Sequence, residues 1–386
     1  MPSKKLKITD FGEKKLIERI IKKTRQSQLN YFSSSDFPIK KSLGDDAALI
    51  DFGSQYLVAS SDMLQESSHF PPQMKPEDIG WKIVTVNASD LAAMGAHPRG
   101  FLVSMGLPRN MDIDFFDKIV DGILEACDYY KMPLIGGDTN ESPQLVLDGT
   151  ALGSVDKNKV MMKSKTAQGS AKPGDLLAVT GVLGVAAAGF EFLLSTNYPE
   201  LPKKSNDILK SLNSRFDLIN IIKKHALQPR ARIKEGIMAA ESGMIKGATD
   251  ITDGLASELE EIINAANSFE KEFGENHDNS SYSKHYELKS DSMDLIGLKI
   301  HEELLPVPSE VEKIAEIFDK DLLNLALYYG EDFELLLIIE KESLEEFKKI
   351  LDIYLIGEIT DSGVIEIVTK NGDVNILPSG GYEHLK

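Results

Sequence analysis

Residues 75–96, KPEDIGWKIVTVNASDLAAMGA, followed two residues later by 99–108, RGFLVSMGLP, decide the fold class. The first stretch predicts a helix. Pro76 suits its first turn, and Glu77 and Asp78 complement its N-terminal dipole. The second stretch predicts a strand. Upstream, 54–64 (SQYLVASSDML) reads as a strand running into a loop, and 11–24 has helical spacing. Downstream, 112–132 reads as an amphipathic helix with apolar residues at 115, 116, 119, 123 and 124. Residues 133–139 (PLIGGDT) predict a short buried strand ending in glycines, and 144–155 another strand. Helices and strands thus alternate over residues 1–155, which predicts an N-terminal α/β (α+β) domain.

A stretch of low hydrophobicity, 156–175, reads as the junction with a second α/β domain covering 156–386. There 176–181 (LLAVTG) reads as a strand, and 182–195, 205–227 and 230–242 as helices. Residues 247–267 (GATDITDGLASELEEIINAAN) read as a loop running into a helix. The polar stretch 268–294 reads as a peripheral insertion. Strands around FELLLII (333–339) and YLIGEI (354–359) close the chain.

The 386 residues are 42% hydrophobic, enough for one or two cores. With no apolar run of about 18 residues and no apolar segment behind the basic N-terminus, neither a membrane span nor a secretory signal is expected. A single cysteine, Cys127, excludes an internal disulfide framework and points to a reducing, cytoplasmic compartment. The 61 acidic against 43 basic residues, a net charge of −18, argue against nucleic acid as a partner. A small phosphorylated ligand remains compatible if divalent cations stand between the two negative charges. There is no P-loop, no GxGxxG, no HExxH, no GxSxG and no Cys/His cluster.

The informative acids lie at strand ends and loops beside Gly, Ser or Thr. They are Asp46 in GDDAA, Asp62 in SSDML, Asp90 in NASDLAAMGA, Asp138 in GGDT, and Asp250 and Asp253 in DITDG. Each has a plain structural reading: an Asx turn at Asp45–Asp46, turn formation at Asp62 and Asp138, a cap at Asp253, decoration of a helix at Asp90. Together, with Ser61, Thr139 and Thr252 beside them, they form the hard oxygen-donor set that Mg²⁺ on a substrate phosphate requires. The glycines of LIGGDT, and of TGVLGVAAAG at a helix start, would let a phosphate approach backbone N–H groups. Close helix packing through small residues is the alternative for the second.

In chain order the motifs are GDDAAL (44–49), SDMLQESSHF (61–70), VNASDLAAMGAHP (86–98), LIGGDT (134–139), AKPGDLLAVTGVLGVAAAGF (171–190), DITDGLASEL (250–259) and YGEDFELL (329–336), then IGEIT (356–360) and SGGYEHLK (379–386). This series resembles the thiamine-monophosphate kinase family, within the ATP-binding superfamily that includes aminoimidazole ribonucleotide synthetase. The resemblance implies two α/β domains, a homodimer formed through the N-terminal sheet, and ATP-dependent phosphorylation of thiamine monophosphate to thiamine diphosphate with several Mg²⁺. By motif match it implies metal contacts from Asp46, Ser60, Ser61, Asp62, Asp90, Asp138, Asp250 and Asp253. It implies nucleotide contacts from Gly137, Asp138 and Thr252, and substrate contacts from His69, Glu331 and Tyr382.

One departure stands out. The family's phosphate-contacting arginine before AKPGD is missing; Gln168 is near its place, with Lys163 and Lys165 as the nearby cations. Lysine lacks the bidentate fork of arginine. The acceptor, a phosphate monoester with a second pKa of about 6, is already mostly a dianion at neutral pH. No protein general base is therefore expected, only positioning and charge neutralisation for direct in-line transfer. A sibling enzyme of the superfamily and a catalytically silent Mg–nucleotide-binding module are the competing expectations. A beginning of the strand at Asp46 would aim Asp45 and Asp46 at opposite faces; the resemblance implies that Asp46 is the metal contact, which leaves Asp45 a turn or supporting residue.

Overall fold

The structure is a computed structural model that describes residues 7–8, 12–33, 39–41, 44–195, 216–268 and 295–382. The polar insertion read at 268–294 lies, but for its first residue, outside these residues, as does the start of the helical stretch read at 205–227.

The first half is a six-stranded sheet, β1 (Ile39–Lys41), β2 (Ala48–Phe52), β3 (Gln55–Gln65), β4 (His97–Leu107), β5 (Leu134–Glu141) and β6 (Val146–Asp156), in the order β1-β2-β3-β6-β4-β5. All neighbours are antiparallel except β4 and β5. Its helices are α1 (Glu13–Ser33), the short α2 (Glu66–His69), α3 (Pro76–Ala93) and α4 (Ile113–Tyr130). Three short strands follow, β7 (Met161–Met162), β8 (Lys165–Thr166) and β9 (Gly169–Ser170). The second half is a seven-stranded sheet, in the order β11-β13-β10-β14-β12-β15-β16. It comprises β10 (Leu176–Val179), β11 (Ile245–Asp250), β12 (Gly297–His301), β13 (Leu335–Ile339), β14 (Tyr354–Thr360), β15 (Ile365–Val368) and β16 (Val374–Ile376). Its helices include α5 (Val185–Ser195), Phe216–Leu227, Ile233–Ser242 and Leu255–Ser268.

The mixed α/β class expected from the sequence is what the chain adopts. Leu335–Ile339 is an apolar run buried at every position, as an inner strand covered on both faces requires. Two local readings differ from the structure. The strand Leu134–Glu141 is a sheet edge and largely exposed, because among the described residues no strand pairs with its outer side. Residues 245–250, read partly as loop, form a fully buried strand, since Thr and Gly here pack between β13 and the first half rather than mark a turn. The stretch 156–175, read as the junction, carries the buried Met161, Lys163, Ser164 and Thr166.

Helix α3 organises the whole. Pro76 occupies its first turn, and from Asp78 to Ala93 nearly every residue is buried, so the helix has no solvent face. One side lies on β3 and β6, another on α4, and Ala92 and Ala93 pack with Ala239, Ala240 and the second sheet. The α3–α4 crossing is close enough to require glycine. A Cβ on Gly80 would stand 2.0 Å from the Ile119 carbonyl oxygen, and one on Gly122 would stand 1.9 Å from that of Glu77. Among the described residues no helix is long and apolar enough to cross a membrane.

Candidate active site

Four carboxylates from four elements meet where α3 passes between the sheets. Asp46 lies in the bend after Gly44, whose φ is +93°, two residues before β2 begins. Its Oδ1 accepts the Thr249 hydroxyl at 3.0 Å and pairs with the Lys163 ammonium at 2.9 Å. Its buried Oδ2 has no hydrogen-bond donor. Asp45 does different work: its Oδ1 accepts the backbone N–H groups of Asp46 at 3.2 Å and Lys163 at 3.4 Å. The two acids thus make different contacts, and both precede the strand rather than begin it.

Asp90 projects from α3 and accepts the Ser60 hydroxyl from β3. Asp62, two residues on and on the same sheet face, hydrogen-bonds to Asp90 through its side chain, and its backbone N–H donates to the Asn87 Oδ1 at 3.1 Å. Asp250 ends β11, and its buried Oδ2 also lacks a donor. Burial raises the pKa of Asp46, Asp62 and Asp90, and for Asp90 the charges of Asp62, Asp250 and Asp46 push further in the same direction. Asp250 is pushed up to about 8, by burial and then by Asp46. Carboxylates gathered out of water repel one another and resist ionisation. A divalent cation reverses both penalties.

Lys163 lies between Asp46 and Glu261. Burial works against its ammonium, but the charges of Asp46, Glu261 and Glu258 outweigh that and hold its proton. Glu258 and Glu261 were not singled out from the sequence; their spacing of three on the helix after DITDG was the available signal. Glu258 also accepts the Asp253 N–H at 3.3 Å, and burial followed by the charge of Glu261 raises it. Asp253 is pushed up to about 6, by burial and then by Glu261 and Glu13.

A second group adjoins the first. The N–H of Glu331 donates to the Thr252 carbonyl at 2.8 Å, and that of Tyr382 to the Asp253 carbonyl at 3.1 Å. The Lys82 ammonium holds both oxygens of Glu331, at 2.6 and 2.7 Å, and the His69 carbonyl at 3.2 Å. His69, Glu331, Tyr382, Thr252 and Asp253 are therefore joined through backbone and Lys82 contacts, although they come from four distant parts of the chain.

Other expected residues stand apart. Ser61 points to the opposite face of β3 from Ser60 and Asp62, where its hydroxyl meets Thr150 at 3.1 Å and the Gly149 carbonyl at 3.0 Å. Asp138 lies exposed on the edge strand β5, opposite Ser104. Its neighbour Gly137 runs so close to β4 that a Cβ would stand 1.9 Å from the Val103 carbonyl oxygen. The Gln168 amide donates to the Asn158 carbonyl at 2.8 Å, and Lys165 lies in β8. At the start of α5 the Gly184 N–H donates to Asp332 at 2.9 Å, and Val185 and Ala186 also donate to that carboxylate. The glycine-rich TGVLGVAAAG thus presents its N–H groups to a side chain of the protein itself. Cys127 is buried, and burial pushes its thiol up to about 11, so it is no nucleophile.

Among the described residues no group of three or more His, Cys, Asp or Glu side chains stands in a metal-holding arrangement. Mg²⁺ needs none: it keeps several waters and is held by one or two carboxylates together with substrate phosphates. The unpartnered Oδ2 atoms of Asp46 and Asp250 are hard, buried acceptors and fit such an ion.

Three comparisons bear on this arrangement. The model of the family described as AIR synthase related protein, N-terminal domain, matches residues 44–155. The thiamine-monophosphate kinase of Pyrococcus abyssi is 33% identical over 346 residues, 90% of this chain and 91% of its own length. That of Bacillus subtilis is 30% identical over 355 residues, 89% and 93% of the two chains. The solved AaThiL complexed with AMPPCP and TMP shares the fold, with a TM-score of 0.75 at 24% identity over 99% of this chain and 100% of that one. With that identity sustained over nearly the full length of both sequences, the chain belongs to the thiamine-monophosphate kinase family.

Proposed function

We propose that the protein phosphorylates thiamine monophosphate to thiamine diphosphate with ATP, by direct in-line transfer. The observation that carries this reading is the meeting of Asp46, Asp62, Asp90 and Asp250 beside the Glu331–Thr252–Tyr382 group. Such an arrangement suits two polyanions held against each other with cations between them. Family membership supports the same activity.

Asp46, Asp62, Asp90 and Asp250 would hold Mg²⁺, with Ser60 fixing Asp90 and Asp253 at the edge of the group. Bound there, Mg²⁺ neutralises phosphate charge and orients the attacking and leaving oxygens. Asp45 sets the turn that presents Asp46. Thr249 and Lys163 orient Asp46 and leave its Oδ2 available. Thr252 and Gly137 would contact the nucleotide, and His69, Glu331 and Tyr382 the acceptor. Lys165 and Gln168 lie on the meander beside Lys163 and would border the nucleotide phosphates without the fork of an arginine. No side chain is required to remove a proton, because the acceptor phosphate already carries the charge that attacks.

The reading includes a homodimer that covers the open face of the six-stranded sheet, where Met63 and Ile135 are 56% and 55% exposed. Asp138 and Ser61, which face that side, would complete the site through the partner. It also includes two domains meeting near residue 156, and a cytoplasmic location suited to a lone reduced cysteine.

Purified protein given ATP, Mg²⁺ and thiamine monophosphate is expected to release thiamine diphosphate and ADP in equal amounts. ADP without thiamine diphosphate, or no product at any Mg²⁺ concentration, would overturn the reading.

A further inference from the structure

Lys82 is among the largest fully buried side chains of the protein. It sits on α3, inside a helix surface otherwise given to apolar and small residues. Burying an ammonium costs several kcal/mol unless it is closely paired and hydrogen-bonded, so its partners indicate its purpose. It has three acceptors: the two carboxylate oxygens of Glu331 and the carbonyl of His69. The Phe190 ring covers it at 5.6 Å from the ring centre. Glu331 in turn holds a left-handed backbone, φ +69°, unusual for a residue with a side chain. The Thr252 carbonyl fixes its N–H, and Lys82 fixes its carboxylate. About a quarter of the Glu331 side chain, 26%, still faces solvent. His69 ends the four-residue helix that follows β3, and Glu331 lies in the loop before β13. Lys82 is where these two segments, from different sheets, are clamped to one another.

We propose that Lys82 is a positioning residue for the phosphate acceptor: by clamping Glu331 to the His69 segment it builds the acceptor-binding wall before substrate arrives. This rests on the kinase reading above. No direct hydrogen bond of Lys82 ends on Asp46, Asp62, Asp90 or Asp250, so its removal should fall chiefly on the acceptor. Without it, Glu331 retains enough exposure to be hydrated and swings away from the place the acceptor needs.

The test is a comparison of Lys82→Met with the unaltered protein, both with ATP and Mg²⁺. The expected result is a KM for thiamine monophosphate raised about tenfold or more, the worth of a charge-assisted hydrogen bond, with KM for ATP within twofold. Calorimetric titration with thiamine monophosphate should show the same loss. Should Lys82→Met fail to fold, Lys82→Arg replaces it: the charge stays, the geometry shifts, and a smaller rise confined to the same KM is expected. Equal rises in both KM values, or a fall in kcat alone, would make Lys82 merely structural and overturn the proposal. If the unaltered protein binds thiamine monophosphate and the variant binds it equally well, only the role of Lys82 falls. If the unaltered protein does not bind it, the kinase reading and this proposal fall together.

Discussion

Asp46 and Asp250 reach one interior from opposite halves of the chain, and each leaves its Oδ2 buried without a donor. Asp46 is also the largest charge acting on Asp250. The pair is a source of instability in the protein alone and a source of affinity toward a divalent cation. Mg²⁺ should therefore raise the melting temperature, and EDTA should lower it; at a hundred times its dissociation constant a ligand adds about 2.7 kcal/mol. Asp250→Asn should melt higher than the parent in EDTA and lose most of the Mg²⁺-dependent gain. Differential scanning calorimetry with and without Mg²⁺ measures both, and a variant that melts lower in EDTA would refute the repulsion.

The adjacent acids should respond unequally. Asp46 faces the site and Asp45 holds two backbone N–H groups. Asp46→Asn and Asp90→Asn are expected to cut kcat by about a thousandfold, the several kcal/mol that metal charge stabilisation supplies, with the fold intact by circular dichroism. Asp45→Asn, which keeps an acceptor for those N–H groups, should stay within about tenfold. Equal losses would mean that Asp45 also faces the reacting groups.

Asp332 makes a pH dependence that can be isolated. Burial lifts its pKa to about 8 from an ordinary 3.8, against the three N–H groups it accepts. Between those values the folded protein keeps a proton that the unfolded chain has released. Stability therefore falls as pH rises from about 4 to about 8. Urea unfolding at pH 5 and pH 8 should show a smaller loss of stability in Asp332→Asn than in the parent. The same slope in both would remove Asp332 from the account.

The α3–α4 crossing tolerates no methyl group. Gly80→Ala would place a Cβ within 2.0 Å of a backbone carbonyl, which no side-chain rotation relieves. A loss of about 3 kcal/mol or more is expected, read as a lower urea midpoint. An unchanged midpoint would mean that the two helices can separate.

Much of this was legible in the sequence, for identifiable reasons. Helix α3, strand β13 and the strands flanking Asp62 carry long periodic or apolar runs, and local pattern governs them. Asp46, Asp62, Asp90 and Asp250 stood out because acids seldom border buried strands without cause. What the sequence hid depends on pairing between remote segments. The edge position of Leu134–Glu141 follows from what does not pair with it. The strand at 245–250 is buried by its neighbours rather than by its own Gly and Thr. Ser61 carries the same motif as Ser60, yet strand alternation turns it to the far face. Asp332 takes the N–H groups of α5 that glycines had seemed to offer to phosphate. The pairing of Lys163, one of the two cations near the missing arginine's place, with Asp46 and Glu261 also joins remote segments.

Helix α3 carries Lys82, Asn87 and Asp90 within a few turns and is enclosed by both sheets. A helix without a solvent face cannot be completed by either half alone. Residues 1–156 expressed by themselves would leave Ala92, Ala93 and the Lys82 ammonium uncovered, and should be recovered as aggregate rather than as a folded fragment. The metal carboxylates, the acceptor wall and the union of the two halves all draw on this one helix.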